Sequence, residues 1–209
     1  MTISTAERTQ IRRTIIDMAL RRQRPGSGSA RSFQQQRSAV MQWPDLSPVL
    51  GTIPWAVVGA AATRLYMPER ATQDLDVAIA VQNSEAAQTR LRSAGYRLVG
   101  ELSIGGSTWR TPTGEIVDLI EGSEEWWSEA LAGAGNNRDA QGLPVLPLPY
   151  LVLMKFRASR ARDLGDISQM LGLADDGALA EVRRIFAIYA PKDQADLESL
   201  ILLGKMEME

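Results

Sequence analysis

Asp74 and Asp76 stand two residues apart in the run Asp-Leu-Asp-Val-Ala-Ile-Ala. Side chains on a strand alternate faces, so this spacing aims both carboxylates at one spot while Leu75, Val77 and Ile79 face the other side. Two carboxylates held that close raise each other's pKa unless a cation sits between them. The natural occupant is a hard divalent ion such as Mg²⁺ or Mn²⁺, which takes oxygen ligands and often uses only one or two carboxylates plus substrate phosphates. A further acid, Asp118, lies inside the apolar run Val117-Asp118-Leu119-Ile120. An unpaired carboxylate there is costly, which favours a paired or metal-linked role. Glu115 and Glu121 are nearby alternatives, and an edge-strand acid facing solvent is the plainer reading.

The stretch Trp55 to Val81 must position the first two acids. It begins apolar, breaks at Gly59, continues as a short Ala-rich helical segment, turns through Pro68 and Thr72, and becomes apolar again around the aspartates. The pattern predicts strand, turn, helix, loop, strand. Ser84 is placed as an N-cap, with a helix running to a stop at Gly95. A strand is expected over Tyr96 to Leu102, then a hairpin of Ser107 to Arg110 and Glu115 to Ile120 around Pro112-Thr113-Gly114.

This arrangement resembles the nucleotidyltransferase superfamily that includes DNA polymerase β, and more closely its small bacterial members, among them toxin components of toxin–antitoxin pairs and antibiotic-modifying enzymes. Their pattern is a strand ending in Gly-Gly or Gly-Ser, a helix, Asp-hydrophobic-Asp on the next strand and a third acid on a later one. Gly59 and Asp74-Leu75-Asp76 match it, and Arg70 and Thr72 fit an Arg-x-Thr-x-Asp approach; Ala60 departs, standing where the family has a second Gly or Ser. An alanine still offers its backbone N–H but no hydroxyl. The resemblance implies that Asp74, Asp76 and Asp118 hold Mg²⁺ and that Gly59, Ala60, Arg70 and Thr72 meet the phosphates. It recurs in a Leu-rich helix with Lys155, followed by Arg160, Arg162, Asp163 and Asp166. There Lys155, Arg160 and Arg162 would neutralise the triphosphate, while the two acids cap helices or pair with arginines. The implied activity is transfer of a nucleoside monophosphate from an NTP to an RNA, protein or small-molecule acceptor, with an antitoxin partner if the chain is a toxin. A non-catalytic binding, regulatory or antitoxin-like module is the alternative, and Ala60 is its main support. The resemblance spans roughly Ile53 to Leu203.

The chain of 209 residues is 44% hydrophobic with a net charge of -2, and contains neither cysteine nor histidine. Disulfides, thiolate catalysis and imidazole acid–base chemistry are therefore excluded, leaving carboxylates, Lys, Tyr or metal-bound oxygen. No apolar run long enough for a membrane span and no signal-peptide pattern is present, so the expectation is a soluble cytoplasmic protein. Up to Gln42 there are eight arginines against Glu7 and Asp17, a local net of +6. Ile11, Ile15, Met18 and Ala19 predict an amphipathic helix over Thr5 to Gln23, broken by Pro25-Gly26-Ser27-Gly28-Ser29, with a second helix over Arg31 to Gln42. This basic arm packs on the domain, contacts nucleic acid or docks a partner.

The expected organisation is thus a basic helical N-terminal arm, 1–48, and an α/β nucleotidyltransferase-like domain, 49–209. That domain is a mixed sheet with flanking helices and a helical C-terminal part from about 148. Ser123 to Ala134 reads as a capped helix with one of Trp126 and Trp127 on the sheet and the other lining a pocket or partner surface. The segment Gly133 to Gly142 reads as a flexible loop. Ala178 to Tyr189 and Lys192 to Leu203 have amphipathic spacing, expected to lay Leu179, Val182, Ile185, Phe186, Leu197, Leu200 and Ile201 against the sheet.

Overall fold

The computed structural model describes residues 4–22, 42–68 and 72–208. Arg70, the Pro-Gly-Ser stretch and the bulk of the helix expected over 31–42 lie outside the described residues. The chain divides into two compact units, Ser38–Pro147 and Met1–Arg37 with Leu148–Glu209. The N-terminal helix therefore groups with the C-terminal helices.

The first unit is built on a five-stranded mixed sheet: β1 (Trp55–Val57), β2 (Asp74–Ala80), β3 (Arg97–Glu101), β4 (Gly106–Arg110) and β5 (Ile116–Gly122). Their spatial order is β1-β2-β5-β4-β3. β2 and β5 run parallel, while the other neighbours are antiparallel. Alternation sorts the central strands cleanly: Leu75, Val77, Ile79, Val117, Leu119 and Trp109 are wholly buried on one face. Each such side chain contributes about 1.5–3 kcal/mol on leaving water, which fixes the register, because a one-residue slip would bury the aspartates instead.

Short helices join the strands. α2 (Ser47–Leu50) precedes β1, α3 (Gly59–Ala62) and a 3₁₀ turn (Thr63–Leu65) follow it, and α4 (Ser84–Ser93) and α5 (Trp127–Ala134) follow β2 and β5. Gly95 ends α4 in the left-handed region, as expected. Ser84 differs from expectation: Asn83 is the cap residue, no side chain caps the helix, and the Ser84 hydroxyl donates to Glu121. A charged acceptor outcompetes backbone N–H groups for the same hydroxyl. Both tryptophans are buried and stacked on each other, ring centroids 4.3 Å apart, so neither lines an open surface. Trp126 precedes α5 and Trp127 opens it, so the pair sits at the helix start where successive side chains can meet. Trp127 lies over Gly122, where a β-carbon would overlap its indole. The Gly133 to Gly142 segment is anchored, because buried Asp139 accepts from Arg64 and from the backbone N–H groups of Gln141 and Leu143.

The second unit contains α1 (Thr5–Arg22), α6 (Leu148–Ala158), α7 (Ala161–Leu173), α8 (Asp176–Tyr189) and α9 (Gln194–Met208). The apolar faces of α8 and α9 are buried as expected, but their partners within the unit are helices: α9 packs chiefly on α7, and α8 on α6. Gly172 and Gly204 permit the α7–α9 approach, since a β-carbon on either would overlap the other helix's backbone. α1 forms but turns a different face inward. Ile11 and Met18 are exposed, whereas Arg12 and Ile16 are buried. The Arg12 guanidinium bonds Asp196 at 3.0 Å, Asp193 at 2.5 Å and Ser159 at 3.3 Å, and lies 4.0 Å from the Phe156 ring centre. A buried cation with two carboxylates and an aromatic face outweighs two exposed apolar side chains in choosing the helix orientation. Among the described residues no helix is long and apolar enough to cross a membrane.

Candidate active site

The parallel pairing of β2 with β5 sets Asp76 beside Asp118 and Asp74 beside Ile116. Register partners on adjacent strands share a face, at a strand spacing of about 4.8 Å, so all three aspartates lie on the face opposite the Leu75–Val77 core. Each is half-buried, open to solvent yet partly shielded from it. Continuing across the sheet, Thr108 is paired with Asp118 and Gly100 with Thr108. The row Asp76, Asp118, Thr108, Gly100 thus crosses four strands.

Hydroxyls hold two of the acids. Thr72 donates to Asp74 Oδ1 at 2.8 Å, and Thr108 donates to Asp118 Oδ1 at 2.6 Å. Thr72, expected at a phosphate, therefore directs its hydroxyl to a carboxylate. Asp76 is framed differently. Its backbone carbonyl accepts from Val58 N–H at 2.9 Å, and its carboxylate packs directly on Gly59. Among the described residues no three acids are gathered closely enough to hold a metal ion. The donor set is nevertheless all carboxylate and hydroxyl oxygen, the type that suits Mg²⁺ or Mn²⁺.

The alternatives for the third acid occupy other places. Glu115 is exposed at the β4–β5 turn, where hydroxyls of Thr111 and Thr113 hold its carboxyl below the ordinary range. Glu121 is an odd number of positions from Asp118 and therefore points to the other face, where it accepts from Ser84.

Gly59 and Ala60 open α3, with the N–H groups that the first turn of any helix leaves without intrahelical partners. Lys155 is buried within the helical unit, donating to Asp166 at 2.8 Å with Asp163 at 3.8 Å. Its charge is matched there by two carboxylates. Arg160 precedes α7 and pairs with Asp163 at 2.7 Å, while its side chain is 77% exposed; Arg162 is exposed on the first turn. Asp163 meets an arginine as expected, and Asp166 accepts from Lys155.

Three residues on the acidic face escaped the sequence reading: Thr108, Arg110 and Arg97. Arg97 and Arg110 are register partners on β3 and β4, and alternation puts Arg110 on the same face as Thr108. Their only signal was the parity of their positions within the hairpin.

No family model and no curated protein matches the sequence. Among solved structures, the chain is similar to the solution structure of the antibiotic-resistance factor ANT(2'')-Ia. That likeness has a TM-score of 0.42 at 14% identity and covers 97% of this chain and 93% of that one. It is similar also to the crystal structure of ANT(2'')-Ia in complex with adenylyl-2''-tobramycin, with a TM-score of 0.40 at 16% identity, covering 75% and 90%. ANT(2'')-Ia is an antibiotic-modifying nucleotidyltransferase. Likeness at this level assigns no residue a role; the geometry of the acidic face must do so.

Proposed function

We propose that the chain is a metal-dependent nucleotidyltransferase that moves a nucleoside monophosphate from an NTP to a hydroxyl acceptor and releases pyrophosphate. The observation that supports it most is the in-register pair Asp76–Asp118, with Asp74 on the same face and the Asp76 carboxylate seated on Gly59. Asp74, Asp76 and Asp118 are the residues that would hold the ion. A divalent cation, when bound, supplies charge that screens the triphosphate and acidifies the attacking hydroxyl. The acceptor oxygen bonds to the α-phosphorus as the bond to the departing pyrophosphate breaks. A carboxylate of this face, the base that the site itself presents, takes the displaced proton; the chain has no histidine or cysteine for that task. N–H groups of Gly59 and Ala60 meet phosphate oxygens, and Arg110 with Arg97 gives the same face a positive flank for polyphosphate.

A non-catalytic nucleotide-binding module is the second reading. It is favoured by Ala60 and by the hydroxyls of Thr72 and Thr108, each of which occupies one oxygen of Asp74 or Asp118. One experiment separates the two: each of four α-labelled NTPs with Mg²⁺, offered total RNA, total protein and a panel of small polyols. Label retained in one acceptor class, and lost in Asp76→Asn, supports transfer and names the acceptor. Nucleotide binding without transfer to any class supports the module.

A further inference from the structure

The geometry points to Thr108 as a positioning residue for Asp118, a role that rests on the transferase reading above and assigns a function to a residue outside the acidic set. Thr108 stands directly opposite Asp118 in the antiparallel β4–β5 ladder and donates its hydroxyl to Asp118 Oδ1 at 2.6 Å. Asp118 is flanked on its other side by Asp76, its partner in the parallel ladder. The carboxylate thus lies between a hydrogen-bond donor and a like charge. Repulsion from Asp76 pushes the Asp118 carboxylate the same way, toward Thr108, so repulsion and hydrogen bond favour one orientation. A donor on the far side holds one oxygen and leaves the other, Oδ2, for whatever cation the pair shares.

Thr108 suits this task for reasons beyond its hydroxyl. Its β-branched side chain is stiff about χ1 on a strand, so the hydroxyl direction is set by the backbone. The flanking residues do different work: Ser107 and Trp109 point to the buried face, where the indole N–H donates to the Ser107 hydroxyl at 2.8 Å. Gly100, the next residue in the row, carries no side chain and has open space where a β-carbon would stand. Hydrogen bonds to ligating carboxylates orient them, and their loss commonly costs ten- to a hundredfold in metal affinity or activity.

The test compares wild type, Thr108→Val, Thr108→Ser and Asp118→Asn. Mn²⁺ alone is the probe: free ion is measured by electron paramagnetic resonance, and a thermal melt monitors folding. Thr108→Val keeps the shape and removes the donor, so Mn²⁺ affinity falls about tenfold, while Thr108→Ser stays within about threefold of wild type. Wild-type Mn²⁺ affinity in Thr108→Val, alongside loss in Asp118→Asn, overturns the positioning role and leaves the transferase reading intact. Wild-type affinity in Asp118→Asn overturns the positioning role together with Asp118 as a ligand of the ion. Should Thr108→Val lose its cooperative melt, Thr108→Ala replaces it, and equal weakening of Ser and Ala variants overturns the role, since only serine retains the donor.

Discussion

A β-carbon on Gly59 would overlap the carboxylate of Asp76, and Gly59 itself sits at φ +62°, in the left-handed region. Two independent constraints therefore meet at one residue, one conformational and one steric. Gly59→Ala should destabilise the protein by about 1–3 kcal/mol and displace Asp76 from its place beside Asp118. Urea melts measure the first effect and Mn²⁺ titration the second. Wild-type affinity in the variant would show that Asp76 does not depend on the glycine.

Substitution of Asp118 by Asn keeps the size and one acceptor oxygen and removes the charge. Turnover should fall by at least a hundredfold while NTP affinity stays within about threefold, the pattern of an interaction needed mainly in the transition state. Glu115→Gln and Glu121→Gln serve as controls and should be silent, because Glu115 lies exposed at the β4–β5 turn and Glu121 points to the opposite face of the sheet. Calorimetry for binding and labelled-NTP turnover, run side by side, decide the matter. Loss in a control with Asp118→Asn unaffected moves the third acid to that glutamate.

Much of this site was legible in the sequence because it follows from period. Asp74 and Asp76 share a face by strand alternation, while Asp118 was marked by its place in an apolar run and by the family resemblance, with Glu115 and Glu121 left open beside it. What was not legible depended on partners far along the chain. Thr108 reads as an ordinary strand residue until the hairpin register brings it to Asp118. Arg12 reads as part of a solvated basic face, because helical patterning counts every charge as outward, and its carboxylate partners lie near the other end of the chain. Composition misled at Gly133 to Gly142 for the same reason: Asp139 and Arg64 turn a Gly- and Asn-rich segment into an anchored one.

Arg12 gives the basic N-terminal helix its attachment to the helical unit. Arg12→Met leaves Asp196 buried without its main partner and should cost about 3–5 kcal/mol. Arg13, at 3.3 Å from the same carboxylate but half-exposed, should cost less than about 1 kcal/mol when changed to Ala. Chemical denaturation of the two variants gives the comparison, and equal small losses would mean that α1 is only loosely docked.

Glu115 offers a pH test that is independent of the acidic face. Hydroxyls of Thr111, first, and Thr113 favour its ionised form and hold its folded pKa below the ordinary value. A carboxyl depressed in the folded state stabilises above its unfolded pKa, about 4.3, and that contribution is lost as pH falls through the folded value. NMR titration should therefore place the Glu115 midpoint below that of a glutamate in the unfolded chain, and Thr111→Val should move it up. An unmoved midpoint would remove the hydroxyls as its cause.

Lys155 distinguishes a structural cation from one that meets phosphate. Its amino group is buried beside Asp166 and Asp163, so Lys155→Met alone should destabilise by about 3–5 kcal/mol, because Asp166 then loses a buried cation at 2.8 Å while Asp163 retains Arg160. Removing the nearer acid as well relieves most of that penalty. In Lys155→Met/Asp166→Leu the pair becomes apolar side chains of similar bulk, and Asp163 keeps its bond to Arg160. A buried ion pair replaced in this way is often neutral for stability. The double variant should therefore melt close to wild type while binding NTP with wild-type affinity. Calorimetry with a non-hydrolysable NTP measures the second quantity. A stable double variant with NTP affinity reduced tenfold or more would return Lys155 to the triphosphate, where the family resemblance first placed it.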